Sequence, residues 1–148
     1  MTKLTELSTI TPTAGSLSDG VHVLPLRVYW EDTDAAGIVY YANYLKFIER
    51  GRSDMLRLAG IDQWRMKGED GVNFVVRRCE IDYHLPAQLD DQIEVETKVE
   101  VMRGASLDMR QTVRRNGEDL VVAMVRAACV DAAGKPIRLP AVIRDALV

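Results

Sequence analysis

Ile93, Val95, Thr97, Val99 and Val101 alternate with Glu94, Glu96, Lys98 and Glu100, a period of two that describes a strand with one buried and one wet face. The next run repeats it, with Ala105, Leu107, Met109, Gln111 and Val113 set against Ser106, Asp108, Arg110, Thr112 and Arg114. Asn116-Gly117 then supplies two residues that accept the positive φ of a tight hairpin turn. Residues 119–130 return as a nearly continuous apolar strand, expected to be covered on both faces. Upstream, the apolar set slips from even positions (Val72, Phe74, Val76) to odd ones (Cys79, Ile81, Tyr83), which predicts a β-bulge.

One long helix precedes these strands. Tyr44, Ile48, Gly51, Met55 and Leu58 follow a 4-3-4-3 spacing along one face, with Asn43 as the expected N-cap and Gly60 before Ile61 as a glycine C-cap. A mid-helix glycine costs roughly 1 kcal/mol against alanine, so Gly51 on the buried stripe predicts a sheet crossing close to the helix there. Residues 62–70 read as a short second helical piece capped by Asp62, with Trp64 and Met66 over a core opening, and Pro140 opens a short terminal helix. A first strand is expected over 21–30, with Pro25 confining its early part to an edge. A helix followed by consecutive strands indicates an α+β fold with an antiparallel sheet of about five strands. One such sheet on one helix leaves its outer face uncovered unless copies pack together, so homo-oligomerisation is expected.

The 148 residues, 47% of them hydrophobic, are enough for one ordinary domain. Residues 1–20, rich in Thr, Ser, Gly and Pro, are expected to be a flexible tail, leaving 21–148 as the domain. A net charge of −3 with both signs mixed along the chain argues against nucleic acid as a partner. No apolar run approaches the roughly 18 residues of a membrane span, and the N-terminus lacks a secretory pattern, so a cytoplasmic location is expected. Cys79 and Cys129 lie in apolar runs without metal-ligand spacing, and are expected as buried reduced thiols.

Several chemistries are excluded by motif. The chain has no G-x-S-x-G elbow, no phosphate loop and no dinucleotide fingerprint. Its two histidines, His22 and His84, have no ligand-spaced partner, and a solvated strand-end residue is the expectation for such a histidine. Asp32-x-Asp34 could begin a calcium loop, but the twelfth position would be Asn43 where a bidentate Glu is required, so no metal site is expected. Turn-bonding is the plain role for Asp32 and Asp34. Position gives a second one: an Asp on an irregular loop just before the positive end of a long helix combines a carboxylate with outward N–H donors, which suits acyl transfer from an activated ester such as a thioester.

The same residues carry a resemblance. Arg27 to Leu56, RVYWEDTDAAGIVYYANYLKFIERGRSDML, resembles the signature of the YbgC-like branch of the 4-hydroxybenzoyl-CoA thioesterase family, and the strand order that follows fits that family's hot-dog fold over about residues 22–140. The resemblance implies a sheet wrapped around a central helix, dimers with a continuous sheet, and pairing of dimers into a homotetramer. It implies acyl-CoA hydrolysis to free acid and CoA without a cofactor, with Asp34 as nucleophile or general base, the Tyr41 backbone N–H polarising the thioester carbonyl and Gly37 shaping the loop. Many members of the branch have His where Tyr41 stands. For the CoA nucleotide, the resemblance points to the turn at Arg103, Gly104 and Ser106, with Arg138 as a second phosphate contact. Acyl carrier protein is an alternative thiol carrier, and a non-catalytic acyl-thioester-binding module or a Tol-Pal-associated scaffold is the alternative function.

Overall fold

The computed structural model describes residue 12 and residues 14–147. Six strands form one antiparallel sheet in the order β1-β2-β4-β5-β6-β3: β1 (Ser16–Ser18), β2 (Val21–Arg27), β3 (Asn73–Tyr83), β4 (Gln92–Met102), β5 (Ser106–Arg115) and β6 (Glu118–Val130). The sixth, β1, falls inside the segment expected as a tail: Ser16–Ser18 pairs with Val21–Val23, so order begins before residue 20, while residues 1–11 and 13 lie outside the described residues. Pro25 sits in β2 beyond the reach of β1, on the stretch of that strand whose second edge is free. The register shift between Val76 and Arg78 is the expected bulge, and Asn116 (φ 52°) with Gly117 (φ 77°) makes the expected hairpin turn.

Helix α1 (Tyr44–Leu58) crosses the inner face of this sheet. Its buried stripe is wider than the heptad-like spacing indicated, taking in Phe47, Asp54 and Leu56, while Leu58 is 41% exposed. A built Cβ on Gly51 would lie 2.8 Å from Val95 Cγ1 and 3.1 Å from Thr97 Oγ1, so β4 makes the close approach expected there. The C-terminus closes as a Schellman motif: Gly60 (φ 85°) and Ile61 donate N–H groups to the Arg57 and Leu56 carbonyls. Asn43 does not cap the helix, because a 3-10 turn over Tyr41–Asn43 leads into it and leaves Asn43 itself helical.

Under Gly51 runs a buried polar row. His22, Thr97 and Gln111 are directly paired across β2, β4 and β5, and all three are fully buried. Gln111 donates to the Ile48 carbonyl (2.7 Å) and to Thr97 Oγ1 (2.9 Å), which aims its oxygen at Arg52. His22, expected to be solvated, bonds Asp54 at 2.7 Å instead, because β1 and α1 enclose it. Burial alone would raise the Asp54 carboxyl, but bonds from His22, the Gly15 N–H and Arg57 bring it below its ordinary value. This row divides the core: Tyr44, Phe47 and Ile48 pack on Val28, Val39, Ile93 and Val95 on one side, and Met55 and Leu56 pack on Leu107, Met109 and Cys129 on the other. Helix α2 (Gln63–Arg65), N-capped by the Asp62 carboxylate, runs into a π turn, Met66–Asp70, and α3 (Ala141–Leu147) joins the second cluster through Ile143 and Leu147. Met66 is buried as expected, but Trp64 is 83% exposed, so only Met66 covers the core there.

The outer face of the sheet is more polar than the covering argument assumed. Val122, Met124 and Arg126 of β6 are only half-buried there, and the face is laced by ion pairs from Arg114 to Glu96, Arg110 to Glu100 and Arg126 to Asp108. A charged, self-paired face can stay in water. The unfinished surface is β3, a free eleven-residue edge whose inward-facing Val76, Cys79 and Tyr83 are exposed. Cys79 is therefore not buried, because α1 does not reach over the edge strand; Cys129 is buried, which pushes its thiol up to about 11.

Candidate active site

The segment after β2 folds back on itself. Thr33 bridges Val39, and within this small hairpin Gly37 donates its N–H to the Asp34 carbonyl (3.0 Å) at φ 79°, a conformation that favours glycine. Asp32 is buried and does the tying: one oxygen accepts the Tyr29 N–H at 2.8 Å and the other the Asn43 amide at 2.8 Å. These are the two ends of the segment, so one carboxylate locks the loop to the helix entrance. The structural role weighed for both acids therefore falls to Asp32, whose oxygens are used inside the protein.

Asp34 differs. It is exposed; Oδ1 accepts the Ala36 N–H at 2.9 Å, and Oδ2 has no protein partner among the described residues. One oxygen orients the group and the other is open for chemistry. Tyr41 begins the 3-10 turn ahead of α1, and its N–H donates to no group among the described residues, as expected for the first turn of a helix. The Tyr41 carbonyl accepts the Tyr83 hydroxyl at 2.9 Å, and the two rings stand edge to face, which ties the helix entrance to the end of β3. Burial raises the Tyr83 and Tyr44 hydroxyl pKa values above the ordinary tyrosine value.

The second set of sequence candidates lies elsewhere. Arg27 pairs with Gln92 at the start of β4, and Arg103 follows Met102 at its end, so about ten residues of strand, roughly 30 Å, separate the Asp34 loop from the 103–106 turn. That turn is well held. Leu139 donates its N–H to the Gly104 carbonyl (2.8 Å), which brings Arg138 beside it, and Arg144 bonds the Arg103 and Gly104 carbonyls at 2.6 and 3.0 Å. Ser106 is buried, its carbonyl accepting the Arg103 N–H. Arg103 grips Asp108 through two 2.8 Å bonds and Arg126 binds the same carboxylate, holding it well below the usual range. Arg138 is exposed and unpaired among the described residues. Asp108, Arg126 and Arg144 were not singled out from the sequence; the signal was Asp108 and Arg126 standing opposite each other on β5 and β6, which needs the register to be visible. No group of three metal-ligating side chains occurs among the described residues.

Comparison with known proteins agrees with this fold. The thioesterase-like superfamily model matches residues 28–147. An acyl-CoA thioesterase YbgC of Haemophilus influenzae is 43% identical over 82% of this chain and 90% of its own length. Among solved structures, a probable thioesterase from Bartonella henselae superposes with a TM-score of 0.78 at 41% identity, covering 81% of this chain and 99% of that one. A 4-hydroxybenzoyl-CoA thioesterase has a TM-score of 0.82 at 22% identity, covering 86% of this chain and 99% of that one, a likeness of fold. With one long helix across an antiparallel sheet, a motif-bearing loop at its entrance and relatives of this identity over most of its length, the chain belongs to the YbgC acyl-CoA thioesterases of the hot-dog fold.

Proposed function

We propose that this acyl-CoA thioesterase uses Asp34 and the Tyr41 N–H as its catalytic groups, the carboxylate acting on the thioester carbonyl and the N–H receiving the negative charge that develops on oxygen. The observation that carries the reading is the difference between the two acids of one short motif: Asp32 has both oxygens engaged, while Asp34 keeps Oδ2 free beside a helix entrance with an unused donor. As nucleophile, Asp34 attacks the carbonyl carbon, the C–S bond breaks with CoA leaving as thiolate, and water hydrolyses the mixed anhydride. As base, it takes a proton from the attacking water. Neither route asks for a cofactor. Tyr41 stands where many members of the branch carry His, so its side chain supplies no imidazole for proton transfer.

The separation of the two loops supports a homodimer. β3 begins at the 103–106 end of the sheet and finishes, at Tyr83, beside Tyr41. Antiparallel pairing of two free β3 edges about a dyad sets the Arg103–Arg138 end of one copy next to the Asp34–Tyr41 end of the other. One acyl-CoA then spans groups that a single chain holds roughly 30 Å apart. Gly104 and Ser106 shape the nucleotide turn, Arg138 offers an unpaired guanidinium to a phosphate, and Arg103 holds the turn through Asp108. Pairing of dimers gives the proposed homotetramer. No helix among the described residues is long and apolar enough to cross a membrane, and both cysteines are free thiols, in keeping with a proposed cytoplasmic setting. The test is thiol release from a panel of acyl-CoA and acyl carrier protein esters by wild type and Asp34→Asn. Turnover lost in the variant supports the assignment; equal turnover overturns it.

A further inference from the structure

A cavity of about 240 Å³ lies between the second half of α1 and the sheet. Protein interiors leave few voids larger than a water, and an engineered cavity of roughly 150 Å³ already holds a benzene ring, so a space of this size has room for a small apolar group. Its lining is graded by depth. The buried residues on its wall are all apolar: Met55 and Leu56 from α1, Leu107 and Met109 from β5, Ala127 from β6 and Leu147 from α3. The polar ones, Glu49, Arg52, Ser53 and Gln63, are the more exposed and form the rim, with Val75 and Val76 of the free edge strand. Arg52 is fixed there by Gln111 Oε1 at 2.9 Å, and Gln111 cannot turn because its amide nitrogen is already bound twice.

We propose that this cavity receives the acyl chain, with its thioester end at the Arg52 rim, and that Ala127 and Leu147 set the chain length it accepts. The inference rests on the dimeric reading above, in which the β3 start that forms the rim meets the partner's Asp34 loop. A hydrocarbon tail loses nothing against an apolar floor, whereas a hydroxyl carried to that depth meets no hydrogen-bond partner among the cavity's buried side chains. Leu147 belongs to the terminal helix that also holds the 103–106 turn through Arg144, so one element closes the acyl cavity and braces the nucleotide turn.

The test is a series of straight-chain acyl-CoA esters from butyryl to dodecanoyl, measured as kcat/KM in wild type, Ala127→Leu and Leu147→Ala, and again as binding affinity in the Asp34→Asn background. Ala127→Leu fills the cavity and is expected to lower the long-to-short ratio about tenfold, in the range that one methylene contributes in an apolar pocket. Leu147→Ala lengthens the space and moves the ratio the other way. Val122→Leu, on the outward face of the same strand as Ala127, leaves the ratio unchanged. Unchanged ratios in both cavity variants, each folded by thermal melting, overturn the proposal. Cavity-dependent ratios with equal turnover in wild type and Asp34→Asn keep the cavity and sink the Asp34 reading, so the two fail separately.

Discussion

The buried row of His22, Thr97 and Gln111 separates two ends that hold their chemistry by different means. At the helix entrance, one carboxylate and a chain of main-chain hydrogen bonds fix a loop drawn from fourteen consecutive residues, 30–43. At the far end, the candidate nucleotide turn is held by Arg103, Arg126 and Arg144, which come from three distant parts of the chain and use charge as much as hydrogen bonding. The first arrangement fixes the direction of a carboxylate oxygen and an N–H, as bond making requires. The second uses up its own charges to hold the turn and leaves Arg138 open beside it, an arrangement that would suit a phosphate and tolerates looser placement. Damage at the entrance should therefore appear in kcat, and damage at the far end in KM. The largest expected effect follows: Asp34→Asn lowers kcat by about 10²–10⁴-fold, the span of positioned acid–base groups, with little change in KM or Tm. Steady-state kinetics with a melting curve check this, and a variant that raised KM while keeping kcat would invert the comparison.

The same contrast governs what the sequence discloses. The entrance was legible because its parts are contiguous: Asp34, Gly37 and Tyr41 stand in one motif, and the alternating strands and Asn116-Gly117 turn set the sheet around it. Gly51 carried a tertiary fact, since a costly helix glycine on a buried stripe implies a close neighbour, and Val95 is that neighbour. The misses share one cause. His22 looked solvated and Cys79 looked buried because burial depends on which strand is an edge and which lies beneath α1, and strand order is not written in local pattern. Asp108 and Arg126 are eighteen residues apart, and only the β5–β6 register makes them one cluster.

Gly51→Ala tests the boundary between the halves. The added methyl lands 2.8 Å from Val95 Cγ1 and 3.1 Å from Thr97 Oγ1, so α1 must lift from the sheet; the expected cost is about 1–3 kcal/mol, minus the small gain in helix propensity. Denaturant unfolding measures it. If the row is a true boundary, kcat and KM both change, because α1 carries residues into both halves; a stabilised variant removes the close-approach argument.

Asp108→Asn probes the far end alone. The folded carboxyl lies below its ordinary value, so its contribution to stability is present above the unfolded pKa of about 3.9 and is lost as pH falls through the lower folded value. The variant is expected to be less stable by about 1–3 kcal/mol at pH 7, with the gap constant down to about pH 5 and closing in stronger acid. Urea titrations across that range check the sign. Because Arg103 then loses its anchor, KM for acyl-CoA rises while kcat holds; a fall in kcat instead would mean that the two ends are not separable.

The smallest effect separates two arginines that composition alone treats alike. Arg103 has its guanidinium committed to Asp108, whereas Arg138, held beside Gly104 by the Leu139 N–H, has no protein partner among the described residues. A partnerless surface guanidinium can meet a phosphate without first giving up a carboxylate. Removing it should weaken binding without loosening the turn. Arg138→Ala is thus expected to raise KM about three- to fivefold, near 1 kcal/mol, with unchanged Tm and with a penalty that shrinks as salt screens the contact. Arg103→Ala should lower Tm as well, because Arg126 alone then neutralises Asp108. If Arg103→Ala instead raised KM more than Arg138→Ala at constant Tm, Arg103 would be the phosphate contact, and its grip on Asp108 would be a resting arrangement that the nucleotide displaces.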